Sequence, residues 1–288
     1  MHVTETMIRP ETGQRLFVRF CHASGGSSHR TLLLLHGACE HGERYLNFAR
    51  WMTQRRWNVV LPDLRGHGRS GGIRTFVRDF SEYVDDVETV RTHLKLAPEQ
   101  TALFGHSMGG LVAVRHTQRF IGRFSSVALS SPLLALKVPI PVAKVAVGRM
   151  VSLVAPQIRF KTEVDPHHAT RNPDAREFRL NDPLGVRSVT AGWYFSMKRA
   201  LRQAWSEAAN FTQPVLIMQA GQDKIVDPEA PVRWLQRVSS SDVRFHRRDE
   251  DYHELLNEPG WEETAHLLTE WLTRRLEAPA IVPFANAA

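Results

Sequence analysis

Ser107 stands in the run "LFGHSMGGL", residues 103–111, with Gly105 two positions before it and Gly109 two positions after. A serine hydroxyl is a poor nucleophile at neutral pH, so it acts only where a base takes its proton and a carbonyl can reach it. In a Gly-x-Ser-x-Gly elbow a strand turns sharply into a helix, the serine sits strained at the apex, and the glycines keep neighbouring side chains clear. Thr101-Ala102-Leu103-Phe104 has the length of a buried strand, and Leu111, Val112, Val114 and Arg115 suit a buried helix.

An activated serine also needs a base, an orienting acid and donors for an oxyanion. In elbow enzymes the partners follow in the order serine, acid, histidine. "MQAGQDKIVDPEA" places Asp223 just past an apolar run, at a strand's carboxyl end; Asp227, before Pro228, better suits a helix cap. "DEDYHELLNEP" then presents His253 beyond the last strand candidate, and imidazole is the side chain suited to shuttling a proton near pH 7. His106, His116, His167, His168 and His246 precede the acid or sit inside elements of their own. For the oxyanion, the Met108 amide follows the nucleophile, and "LLLLHGACEHGERY" offers the Ala38 amide after an earlier strand, with Gly37 and Cys39 as lesser choices. Cys39 lacks an elbow and reads as a small buried thiol. His36, Cys39 and His41 match no structural zinc spacing, and no phosphate-cradling glycine loop is present. No metal or organic cofactor is expected.

Positioning these residues takes alternating strands and helices, the pattern of a mostly parallel sheet covered on both faces. "RLFVRFCHA", "TLLLLHG", "NVVLPD", "TALFGHS", "SVALSS", "PVLIMQAG" and "DVRFHRRD" are the strand candidates, and helices are expected near 44–56, 82–96, 107–120, 228–238 and 260–275. Residues 132–206 break the alternation, dividing the chain into a core of 1–131 and 207–288 and an inserted region of 132–206. That region opens with "PLLALKVPIPVAKVAVGRMVSLVAP", whose charges and prolines argue against a membrane span. Helical spacing there puts Lys144, Gly148, Arg149 and Ser152 on one side and Val145, Met150, Val151 and Val154 on the other, fitting a lid over a site or a helix packed in the core.

The 288 residues are 42% hydrophobic and 23% charged, which suits one large soluble domain with an insertion. The net charge of +7 is scattered and belongs to no nucleic-acid module; weak attraction to anionic membranes is its other reading. Two cysteines form no disulfide framework, and "MHVTETMIRPETGQ" lacks the apolar core of a secretory signal, so a cytoplasmic setting is expected.

With "LPDLRGHGRSGG", "YVDDVE", "LSSP" and "NDPL" added to the runs already quoted, the sequence resembles the monoacylglycerol lipase and lysophospholipase branch of the α/β-hydrolases across roughly residues 30–260. The resemblance implies an α/β-hydrolase fold with a mainly helical, lipid-facing cap at 132–206. It also implies Ser107 as nucleophile, Asp223 and His253 as its partners, and the Ala38 and Met108 amides as oxyanion hole. Asp63, Arg65 and His67 would shape the loop beside the site. Cys39 departs from the glycine that relatives often carry. The expected activity is hydrolysis of single-chain lipid esters through an acyl-enzyme, with transient membrane-surface contact through the cap. A small-ester esterase, an acyltransferase, an aminopeptidase and a non-catalytic lipid-binding protein stay as alternatives.

Overall fold

The computed structural model describes residues 1–9, 13–26, 28–162 and 164–277. Its main sheet has eight strands: β1 (His2–Ile8), β2 (Leu16–His22), β3 (Thr31–Leu35), β4 (Asn58–Pro62), β5 (Thr101–His106), β6 (Ser126–Ser130), and, after the two short strands introduced below, β9 (Val215–Ala220) and β10 (Val243–Arg248). Their spatial order is β1-β2-β4-β3-β5-β6-β9-β10, with β1 and β2 antiparallel and every pair from β4 onward parallel.

Strand alternation explains why both faces are apolar. Leu33, Leu103, Val127 and Ile217 point into one core layer, under α2 (Ser81–His93) and α3 (Met108–Arg119). Their chain neighbours Leu32, Phe104, Ala128 and Met218 point into the other, under α1 (Leu46–Gln54) and α8 (Trp261–Glu277). The sequence reading missed β1. Its "HVTETMI" is largely exposed, and it is a strand because its full length pairs with β2, not because it buries an apolar face. The helix expected at 228–238 forms only as α7 (Ala230–Leu235).

Between β6 and β9 the chain leaves this sheet. It builds α4 (Val142–Val154), the antiparallel pair β7 (Arg159–Lys161) and β8 (Ser188–Thr190) with α5 (Pro173–Asn181) between them, and α6 (Ala191–Ser206). The two sides that helical spacing assigned to α4 do not divide as inside and outside. The inward side of α4 carries buried Gly148 with half-buried Lys144, Val145, Val151 and Ser152, whereas Met150 (68% exposed) and Val154 (84%) face solvent beside Val142, Val147 and Leu153. Gly148 lies against the Phe195 ring of α6 at ordinary van der Waals distance.

Candidate active site

The site lies at the carboxyl ends of β3, β5, β9 and β10, where open parallel sheets place their crevices. Ser107 joins β5 to α3 with φ 52° and ψ −116°, a conformation non-glycine residues avoid. Its backbone is held on both sides: the Ser107 N–H donates to Ser130 O (3.0 Å), and Ser107 O accepts from Leu133 N (2.9 Å). The flanking glycines are steric necessities. A Cβ on Gly105 would enter the Gly109 carbonyl, and one on Gly109 would enter the carbonyl of Leu35.

His253 lies in the loop after β10, 4% exposed, and its Nδ1 is 2.7 Å from Asp223 Oδ2. Asp223 is fully buried, and its second oxygen accepts from the Ile225 (2.8 Å) and Val226 (3.0 Å) amides. Burial works to raise this carboxyl, but the adjacent imidazole and the two amides hold it below the ordinary carboxylate range. An ionised carboxylate accepts only, so the ring presents Nδ1–H to it and leaves Nε2 as the basic nitrogen. Asp227 is turned to other work, accepting from Glu229 N and pairing with Arg233 at 2.6 Å.

Ser107 and His253 line one cavity of about 380 Å³ with Gly37, Ala38 and Cys39. Among the described residues the Ser107 hydroxyl and the Ala38 and Met108 N–H groups make no hydrogen bond to protein, so all three remain available to a substrate. The histidines set aside on sequence grounds lie elsewhere or are committed. His116 meets Glu88 at 3.1 Å, His246 is inside β10, and His167 and His168 occupy a turn after β7. His106 is beside His253, with ring centroids 4.7 Å apart. Burial, reinforced by His253, pushes His106 down to about 4, so it packs as a neutral ring.

The loop after β3 is shaped by charges that the sequence reading left unassigned. Glu40 Oε1 accepts from Gly37 N (2.5 Å) and Tyr45 OH (2.7 Å), while Glu40 Oε2 meets Arg44 at 3.2 Å. Burial opposes ionisation of Glu40, yet Arg44 together with His106, His36 and Arg179 outweighs it, and the carboxyl lies far below its ordinary value. His36 holds the same loop, Nδ1–H to Gly37 O (2.7 Å) and Nε2 accepting from Leu64 N (2.9 Å). Asp63 caps the neighbouring turn by accepting from Gly42 N and Arg69 N, each at 2.8 Å, and Arg65 bridges to Glu82 and Asp86. Cys39 is half-buried and its φ is +65°, so a side chain sits where glycine would be unstrained. Burial pushes its thiol up to about 12, which leaves it protonated and a poor nucleophile.

The remaining lining is mixed, with Lys144, Lys161 and Arg187 among it. Leu133, Leu136, Val138, Ile140, Val145 and Phe160 make an apolar stretch; Glu40, Arg44, Arg179, Asp182 and Glu254 make a charged one. In the charged stretch each carboxylate has a partner: Arg44 and Arg179 both reach Glu254, and His41 Nε2 is 2.9 Å from Asp182. The run "HGACEHGERY" held a signal for part of this, since three charged residues sit inside an otherwise loop-forming motif. Arg179 carried none.

A family model described as serine aminopeptidase, S33, matches residues 26–260. Phospholipase YtpA of Bacillus subtilis is 33% identical over 230 residues, covering 79% of this chain and 89% of that one. A monoacylglycerol lipase of Mycolicibacterium smegmatis is 29% identical over 258 residues, covering 85% and 88%. Among solved structures, the monoacylglycerol lipase of Paleococcus ferrophilus superposes with a TM-score of 0.83 at 27% identity, covering 90% of this chain and 99% of that one.

Proposed function

The chain belongs to the Hydrolase_4 family (serine aminopeptidase, S33) and has the α/β-hydrolase fold, and from that premise we propose that it hydrolyses carboxylic esters of single-chain lipids. The observation that carries this reading is the strained Ser107 and the His253–Asp223 pair on one wall of a cavity whose other walls are part apolar and part charged. Ser107 attacks the ester carbonyl as His253 Nε2 takes its proton, and Asp223 keeps the proton on Nδ1 and stabilises the imidazolium. The Ala38 and Met108 amides receive the oxyanion. His253 protonates the departing alcohol, then activates water to release the fatty acid from the acyl-enzyme. No step calls on a metal or organic cofactor.

Residues 132–206 act as the cap in this reading. The apolar stretch takes the acyl chain, at roughly 0.8 kcal/mol per methylene removed from water. A single chain suits a cavity of about 380 Å³, near the lower end of small-molecule sites. Monoacylglycerol and lysophospholipid both present one chain, an ester and a polar head. Release of N-terminal residues from peptides fits less well. A substrate α-ammonium needs an uncommitted carboxylate, and those of Glu40, Asp182 and Glu254 are already paired. The cap also offers a way to reach substrate. The outward side of α4 is apolar, and Arg149, Lys198, Arg199 and Arg202 surround a cleft beside it, a combination that favours transient contact with an anionic lipid surface. No described helix is long and apolar enough to cross a membrane.

The test is labelling with a fluorophosphonate followed by parallel turnover of monoacylglycerols, lysophospholipids, triacylglycerols, short esters and aminoacyl amides. Labelling that vanishes in Ser107→Ala, with monoacyl substrates turned over fastest, is the expected result. Unlabelled wild type, or equal labelling of Ser107→Ala, defeats the hydrolytic reading; fastest turnover of aminoacyl amides defeats the substrate class.

A further inference from the structure

The loop that carries His253 has little structure of its own. Between β10 and α8 it forms only a single 3-10 turn, Leu255–Asn257, so the position of the ring depends on what grips the loop. Three of its carboxylates are buried around the histidine: Asp251 two residues before it (3% exposed), Glu254 next to it (3%) and Glu258 five residues after (0%). Buried carboxylates demand cations or donors, and an unpaired one drives its segment toward water.

Most of those partners come from one segment between β7 and β8, residues 169–181. The Arg171 side chain forks across the loop, with Nε on Glu258 Oε2 and the terminal nitrogen on Asp251 Oδ1, both at 2.6 Å; its backbone N–H adds a bond to Glu258 Oε1, also 2.6 Å. Arg179 donates to Glu254 Oε1 at 2.5 Å. Backbone bonds close the seam: Glu254 N to Ala169 O (2.8 Å) and Thr170 Oγ1 to Asn257 O (2.9 Å). The core supplies Arg248 to Asp251 and Arg44 to Glu254, but among the described residues the only cation on Glu258 is Arg171.

We infer that residues 169–181 clamp the His253 loop from outside the sheet, and that Arg171 and Arg179 are positioning residues for the imidazole. This rests on His253 being the base of the proposed hydrolysis. Arg179 also continues inward, because its partner Glu254 is shared with Arg44, whose other partner Glu40 holds the Gly37 amide. One run of alternating charges therefore ties the segment, the base and the loop bearing the Ala38 amide together. Arg171 does not line the cavity, so its effect on the reaction passes through the histidine.

The decisive variants are Arg171→Met and Arg171→Lys. A misplacement of about 1 Å can lower turnover roughly 10²-fold. Arg171→Met is expected to lose about that factor in kcat with KM within about threefold of wild type. Arg171→Lys keeps the charge but presents one donor point where the guanidinium forks, so it recovers about tenfold of the loss. The second measurement is the proton NMR signal of His253 Nδ1–H, shifted far downfield by its short bond to Asp223. It is expected to broaden or vanish in Arg171→Met. Retention of kcat within twofold by folded Arg171→Met overturns the clamp, as does an unchanged downfield signal in either variant. Should Arg171→Met not fold, Arg171→Lys with wild-type kcat overturns it alone. Wild-type protein that turns over no ester defeats the functional reading, while the NMR signal still judges the clamp.

Discussion

Asp223→Asn changes one atom of a buried contact, and its consequence can be worked through in the structure. The Oδ1 of Asp223 accepts from two amides, Ile225 and Val226, so an oxygen must stay there. The new amide nitrogen is then forced into the place of Oδ2, 2.7 Å from His253 Nδ1, where donor would face donor. The imidazole escapes by moving its proton to Nε2, which removes the lone pair that takes the proton of Ser107. A wrong tautomer of this kind costs a serine protease about 10⁴ in kcat, equivalent to about 5.4 kcal/mol of barrier. The side chain keeps its shape, so thermal unfolding should move little. The assay is kcat on a soluble ester together with the rate of fluorophosphonate labelling at Ser107, and both should fall by about that factor. Asp227→Asn is the control. Its carboxylate serves a partly exposed pair with Arg233, worth at most about 1 kcal/mol, and turnover should stay within about twofold. Asp223→Asn within tenfold of wild type, or Asp227→Asn as the dead variant, refutes the assignment.

Further outcomes follow from burial. His36, His67 and His106 are held below their ordinary value by burial first of all, His67 to about 3 and His106 to about 4. The unfolded chain therefore binds protons that the native state refuses. The stability that His67 and His106 contribute is whole above about pH 6.5 and is lost toward pH 4, at roughly 1.4 kcal/mol per pH unit per ring, and His36 acts in the same direction. Chemical denaturation at stepped pH should show that slope, and a flat profile between pH 7 and 4.5 contradicts it. Burial also raises Cys21 to about 11 and Cys39 to about 12. At pH 8 the thiolate fraction at Cys39 is then roughly 10³-fold below that of a free cysteine. Iodoacetamide should accordingly modify the native protein far more slowly than the unfolded chain, and fast native alkylation of Cys39 rules this out. Finally, Val147→Glu combined with Met150→Glu on the exposed side of α4 should weaken flotation with anionic vesicles while leaving hydrolysis of a short soluble ester intact; undiminished flotation removes α4 from the proposed contact.

The parallel strands were legible because each is a short apolar run bounded by turn residues, and a strand buried on both faces needs nothing more specific. The elbow was legible for a different reason: the backbone at Ser107 tolerates only glycine at 105 and 109, so steric demand writes itself directly into residue type. Asp223 was preferred over Asp227 on the expectation that Pro228 opens a helix capped by Asp227; the helix instead begins at Ala230, and it is the pairing with Arg233 that sets Asp227 apart. Strand β1 was not legible, since an edge strand that pairs along one side and faces solvent has no apolar pattern to display. Which side of α4 turns inward was not legible, because periodicity reports where apolar residues lie on a helix, not which side another helix can approach.

Local sequence thus determined the parallel strands and the strained serine, because each depends on neighbours within a few positions. Only the folded chain decided which charges meet. Arg171 and Glu258, 87 residues apart, or Arg44 and Glu254, 210 apart, carry no mark of one another along the chain. Their pairing arises because burial strips carboxylates of water and makes the nearest guanidinium in space, wherever it lies in sequence, the partner that must be found.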